Sequence, residues 1–150
     1  MDTCKRMGEI LLEHKLITLE QLNRALEARE RTYIRFGEVA VILGFVDEKA
    51  ITECLAEQYD LAIADASKIA PTPEALKLVS PFFSLTKMFL PVAVNDGTLQ
   101  AIISDPIDER AIDQVARETG LKMSLALASP RELSAAIAKS YALPSIQGAA

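Results

Sequence analysis

The chain has 150 residues, half of them hydrophobic and a quarter charged, with a net charge of -5; such usage suits one domain or two small ones and excludes a disordered polymer. Lys and Arg are scattered among Asp and Glu, so the basic stripe that a DNA or RNA polymer requires is missing. Cys4 and Cys54 make neither a C-x-x-C pair nor a disulfide framework, "MDTCKRMGE" lacks the apolar centre of a signal peptide, and no apolar run reaches membrane-spanning length. A cytoplasmic location is the expectation.

The first third of the chain is a duplication. "RMGEILLEHKLITLEQLNRALEAR" from Arg6 and "RFGEVAVILGFVDEKAITECLAEQ" from Arg35 align at an offset of 29 residues, with "ERTYI" between them. Leu22 and Leu26, like Ile51 and Leu55, stand four apart and share a helix face. Each copy is therefore predicted to be a helix, a turn and a second helix, the second opened by Thr18 with Gln21 as a capping box in copy one and by Asp47 in copy two. One hairpin buries too little alone, and two packed together make the smallest sensible bundle, with Leu22, Leu26, Ile51 and Leu55 between helices.

Past Gln58 the pattern changes. "LAIADAS" has extended character, and Pro73 can begin a helix. "FLPVAVNDGTLQAIISDP" predicts a hairpin turning at Asn-Asp-Gly, with Pro91 at an edge or strand start. "IDERAIDQVARETG" is helical and closes on Gly120; "LKMSLALAS" is a strand; Ser129, Pro130 and Glu132 open a last helix. The expected architecture is α+β: a four-helix subdomain over residues 1–59, a small α/β subdomain with about three strands over 60–142, and a flexible tail over 143–150.

Catalytic constellations are missing from the sequence. Neither G-x-x-x-x-G-K-[ST] nor G-x-G-x-x-G nor G-x-S-x-G occurs. His14, the single histidine, has no ligand partners at metal spacing and reads as a surface side chain; Cys54 reads as a small core residue. The acidic pairs at Asp47 and Asp108 fall at helix starts, where the helix dipole accounts for them. A binding module, with no catalytic residues and no metal, is the expectation.

The repeated Arg, apolar, Gly, Glu carries more information, because a helical glycine costs about 1 kcal/mol against alanine. Gly8 and Gly37 serve either close helix packing or close approach of a ligand to the backbone. Arg6 and Arg35, two residues away, offer planar forks suited to phosphate or to the guanine O6/N7 edge. Copy two also holds the nearly unbroken apolar run "VAVILGFV". Either the α/β part covers the excess or a patch including Val41 and Phe45 stays open for a protein partner.

The repeat resembles the tandem motif of the N-terminal MshEN/GspE-type domain of type II secretion and type IV pilus assembly ATPases, R-L-G-x-x-L-x-x-x-G-x-L-x-x-x-x-L-x-x-x-L-x-x-Q, and the resemblance extends over nearly the whole chain. Copy two follows the motif at Arg35, Gly37, Gly44, Val46, Ile51, Leu55 and Gln58, with Phe36 and Ala40 in place of leucines. Copy one keeps Arg6, Gly8, Leu11, Ile17, Leu22 and Leu26, but carries Met7 for leucine, Lys15 for the second glycine and Arg29 for the glutamine. The resemblance implies a non-catalytic domain docking on an inner-membrane platform protein or on the ATPase domain of such a system, and so peripheral to the inner membrane. Its alternative is a cyclic di-GMP receptor using Arg6, Gly8, Arg35, Gly37, Gly44 and Gln58.

Overall fold

The computed structural model describes residues 3–32, 34–106 and 109–142, with side chains from Met7 onward. The expected tail over 143–150 and the acidic residue Asp108 lie outside them. The chain divides into two compact units, Met1–Asp60 and Leu61–Ala150.

Unit 1 is four helices: α1 Thr3–Glu13, α2 Leu19–Glu30, α3 Phe36–Ile42 and α4 Glu48–Tyr59. The duplication is visible hydrogen bond by hydrogen bond. Thr18 Oγ1 accepts the Gln21 N–H at 3.1 Å while the Gln21 side chain accepts the Thr18 N–H at 2.9 Å, closing the expected capping box. Asp47, 29 residues on, caps α4 by accepting the Ala50 N–H at 2.8 Å. The first helix of each copy ends in the same turn: Lys15 N–H to Leu12 O and Leu16 N–H to Leu11 O in copy one, Gly44 N–H to Val41 O and Phe45 N–H to Ala40 O in copy two, each 3.0 Å. That pair of bonds is a Schellman motif, which needs a left-handed residue just past the helix. Gly44 supplies it at φ 78° and Lys15 at φ 57°.

Helix α1 lies against α4 and α2 against α3, so each helix finds its main partner in the other copy; α1 and α3 also meet, making them the inner pair. The buried side chains accordingly come mostly from these two helices: Met7, Ile10, Leu11, Phe36, Val39 and Ala40, joined by Ala25, Thr52, Cys54 and Leu55 from the outer ones. Of the four residues expected at the centre, Leu55 is buried but Leu22, Leu26 and Ile51 are only half-buried, because they ride on the outer helices.

Unit 2 is a mixed four-stranded sheet with helices. Strands β1 Ala62–Ile63, β2 Phe89–Asn95, β3 Thr98–Ile103 and β4 Lys122–Leu127 are ordered β1-β4-β3-β2, antiparallel between β2 and β3 and parallel elsewhere. One strand more than expected is present, the two-residue β1 in the stretch read as extended. The β2–β3 turn holds Asp96 at φ 50° and Gly97 at φ 76°, the two positive angles that a two-residue hairpin loop of this twist demands. Pro91 sits on the edge strand β2, beside a register shift between Pro91 and Ala93, where its missing N–H costs no ladder bond. Helices α5 Pro73–Leu76 and α6 Pro81–Lys87 precede β2, α7 Glu109–Thr119 makes the crossover that parallel β3 and β4 require, and α8 Pro130–Ser140 follows β4. Gly120, at φ 70°, ends α7, and Ser129 Oγ accepts the Glu132 N–H at the start of α8. Leu90, Ile102, Ala128, Leu133 and Ile137 form the core between sheet and helices.

Candidate functional site

The residues shared by both copies sort into packing positions and loop positions. Gly8 and Gly37 are buried. A β-carbon on Gly8 would stand 2.7 Å from Leu22 Cδ1, and one on Gly37 would stand 3.0 Å from Ile51 Cγ2 and 3.3 Å from Met7 Sδ. Leu22 and Ile51 are themselves 29 residues apart, so in both copies the glycine lets the first helix close onto the same side chain of the second. The missing side chain thus has a packing role in each copy.

Gly44 is different. It is exposed, nothing lies within 4 Å of where its β-carbon would be, and its φ of 78° belongs to the left-handed region. Arg35 is exposed as the N-cap residue of α3, in extended conformation at φ -69° and ψ 153°. Arg35 and Gly44 therefore bracket α3, nine residues and so roughly 13 to 14 Å apart along its axis at about 1.5 Å per residue. Gln58 is half-buried in the last turn of α4. Arg6 lies on α1, and its side chain is outside the described part. In copy one the loop position of Gly44 is taken by an exposed lysine, Lys15, on the same backbone path.

Val41 and Phe45, the pair considered for a partner, are half-buried. The open apolar surface beside them belongs to their neighbours Ile42, 69% exposed, and Leu43, 44% exposed. Comparing the copies would have found these two, since the matching positions in copy one are the exposed and polar Glu13 and His14. The fold of the repeat does not need apolar residues there, and water disfavours them.

His14 is indeed at the surface, but it is not alone: Nε2 lies 2.8 Å from Glu57 Oε2, linking the end of α1 to α4. Cys54 is buried, its Sγ 3.7 Å from Met7 O; burial, with help from the Glu57 charge, pushes the thiol up to about 12. It is a protonated packing residue and no nucleophile. Among the described residues no three His, Cys, Asp or Glu side chains gather in a way that could hold a metal ion.

A paired helical hairpin followed by this mixed sheet has counterparts among known proteins. The MshEN domain pattern matches residues 59–146, more than half of the chain. The chain belongs to the MshEN domain family. That match begins where the tandem repeat ends, but other likenesses extend over both units. The type IV pilus assembly ATPase PilB of Myxococcus xanthus is 28% identical over 137 residues, covering 91% of this chain and 24% of that protein. The type II secretion system protein E of Xanthomonas campestris pv. campestris is 30% identical over 142 residues, covering 91% of this chain and 25% of that protein. This MshEN chain thus spans about a quarter of the length of these curated relatives. A solved structure of MshE with cdg superposes at a TM-score of 0.82 and 26% identity, covering 91% of this chain and 99% of that one. The N-terminal domain of XpsE superposes at 0.75 and 28% identity, covering 91% and 95%.

Proposed function

We propose that this chain acts as a non-catalytic docking and regulatory domain at the N-terminal end of a type II secretion or type IV pilus assembly ATPase. The observation that carries this reading is the likeness, over 91% of the chain, to a quarter-length segment of such ATPases and to the N-terminal domain of XpsE. The chain would work in the cytoplasm, held at the inner membrane through a platform protein or packed against the ATPase domain of its own system. Val41, Ile42, Leu43 and Phe45, at the end of α3, are the surface offered to that partner: Ile42 and Leu43 give exposed apolar area and the half-buried pair supports them. ATP turnover by the purified chain should not exceed that of a heat-treated control, and turnover above it would overturn the non-catalytic reading.

A second reading, a cyclic di-GMP receptor, is favoured by one observation of its own. The best of the two superpositions described is with MshE bound to cdg, read here as cyclic di-GMP, and both loops of the repeat keep one backbone geometry although copy one has Lys15 where copy two has Gly44. In this reading Arg35 and Arg6 grip guanine or phosphate, the exposed Gly44 lets the ligand approach the backbone and Gln58 hydrogen-bonds it, whereas Gly8 and Gly37, expected to admit the ligand, are buried against Leu22 and Ile51 and serve packing instead. Losing one charge-assisted contact costs about 1.5 to 3 kcal/mol, so Arg35→Ala should weaken binding about ten-fold or more in calorimetric titration. An absence of heat with the unmodified chain at high micromolar dinucleotide would leave docking as the function.

A further inference from the structure

Resting on the cyclic di-GMP reading, we infer that each half of that site is built from both copies of the repeat, Gln58 of copy two completing the turn at Lys15 and Arg29 of copy one completing the turn at Gly44. His14 Nε2 lies 2.8 Å from Glu57 Oε2, a bond between the copies that sets the residue before Lys15 beside the residue before Gln58. Cys54 Sγ lies 3.7 Å from Met7 O of α1. Gln58 stands one turn further along α4 on the same face as Cys54, so it is directed toward the first helix of copy one. The duplication carries this to the other side. Ala25, the counterpart of Cys54, is likewise buried, α3 is the main partner of its helix α2, and Arg29 stands one turn beyond it on the same face.

The crossing redistributes what distinguishes the two copies. Lys15 stands where copy two has Gly44, and Arg29 where it has Gln58, so a half built from copy one alone would take both cations and the other half neither. Crossed, each half receives one: the exposed Lys15 together with the amide of Gln58, and the half-buried Arg29 together with the open backbone at Gly44. Glu57, the acid next to Gln58, is engaged by His14. A cyclic dinucleotide has two equivalent phosphates and so meets one cation with each, an ammonium on one side and a guanidinium fork on the other.

Double-mutant cycles in calorimetric titration with cyclic di-GMP test the crossed assembly. Lys15→Gly, Gln58→Ala and Arg29→Ala should each weaken binding about five-fold or more. Lys15→Gly combined with Gln58→Ala should depart by more than about two-fold from the product of the single losses, because both residues act on one half of the ligand. Lys15→Gly combined with Arg29→Ala should match the product to within about two-fold. Melting temperatures identify a variant that loses the fold, and Gln58→Asn replaces Gln58→Ala if that one does. Any other pattern, above all Lys15 coupled to Arg29 and independent of Gln58, would overturn the crossed assembly while leaving the receptor reading in place. No heat with the unmodified chain at high micromolar dinucleotide would overturn the receptor reading, and the crossed site with it.

Discussion

Lys15 holds a backbone conformation that its counterpart Gly44 adopts freely. Both close the same Schellman turn, but an L-residue with a β-carbon pays about 1 to 2 kcal/mol in the left-handed region. Lys15→Gly should therefore raise stability by roughly 1 kcal/mol and Gly44→Ala lower it by a similar amount, read from denaturant midpoints at constant slope. Cys54 makes a prediction of the opposite kind, in pH. Its folded thiol is raised from 9.0 to about 12, so the folded state keeps a proton that the unfolded chain releases above the ordinary thiol value. Stability linked to this group is complete below pH 9.0 and drains away as pH climbs toward about 12. The fall in melting temperature between mildly and strongly alkaline buffer should be smaller in Cys54→Ala than in the unmodified chain. Equal falls would show that Cys54 ionises freely.

At the level of elements, the termini of helices were legible and the weak pairings were not. Thr18 with Gln21, Asp47, Ser129 and Gly120 announce their helix ends because a cap is a local bargain between a side chain and orphaned backbone groups. Asp96-Gly97 announces the hairpin for the same reason. Helix α6 carried an equally local signal, Ser80 before Pro81, the same pair as Ser129 before Pro130, and Ser80 does cap it by accepting the Phe83 N–H at 3.0 Å. Its apolar residues, Phe82, Phe83 and Leu85, have no long helical period, so periodicity does not mark it. Strand β1 had no such signal: two exposed residues count as a strand only because Ala62 and Ile63 meet Ala126 and Leu127 of β4, a contact made across the fold. Nor could sequence periodicity say that α1 and α3 would be the inner pair and leave Leu22, Leu26 and Ile51 half-buried. Tyr141, unremarked in the sequence, ties three elements together through Ser84 Oγ, Leu76 O and Val79 O. Tyr141→Phe removes those bonds while keeping the ring, and should cost about 1 to 2 kcal/mol in denaturant unfolding. A cost near zero would mean that water replaces the hydroxyl.

Across the whole molecule, the candidate site was half legible. Alignment of the two copies picks out Gly8, Gly37 and Arg35, and the resemblance to the family motif adds Gly44; the structure gives Gly8 and Gly37 a packing role and places Arg35 and Gly44 at the ends of α3. What periodicity could not reveal was which part of "VAVILGFV" stays open, because burial depends on the helix packed alongside. The inner helices should dominate stability: Leu11, fully buried, should cost about 2 to 5 kcal/mol on truncation to alanine, and half-buried Leu26 distinctly less. The proposed docking role makes the opposite demand on the surface, where Ile42 should matter to a partner and hardly at all to folding. The measurement that tests this most directly is co-elution of the chain with the cytoplasmic part of its inner-membrane platform protein, alongside Ile42→Asp. A stable complex with the unmodified chain, lost in an Ile42→Asp variant of unchanged melting temperature, is the predicted result; no complex at all, or one indifferent to the substitution, would contradict it.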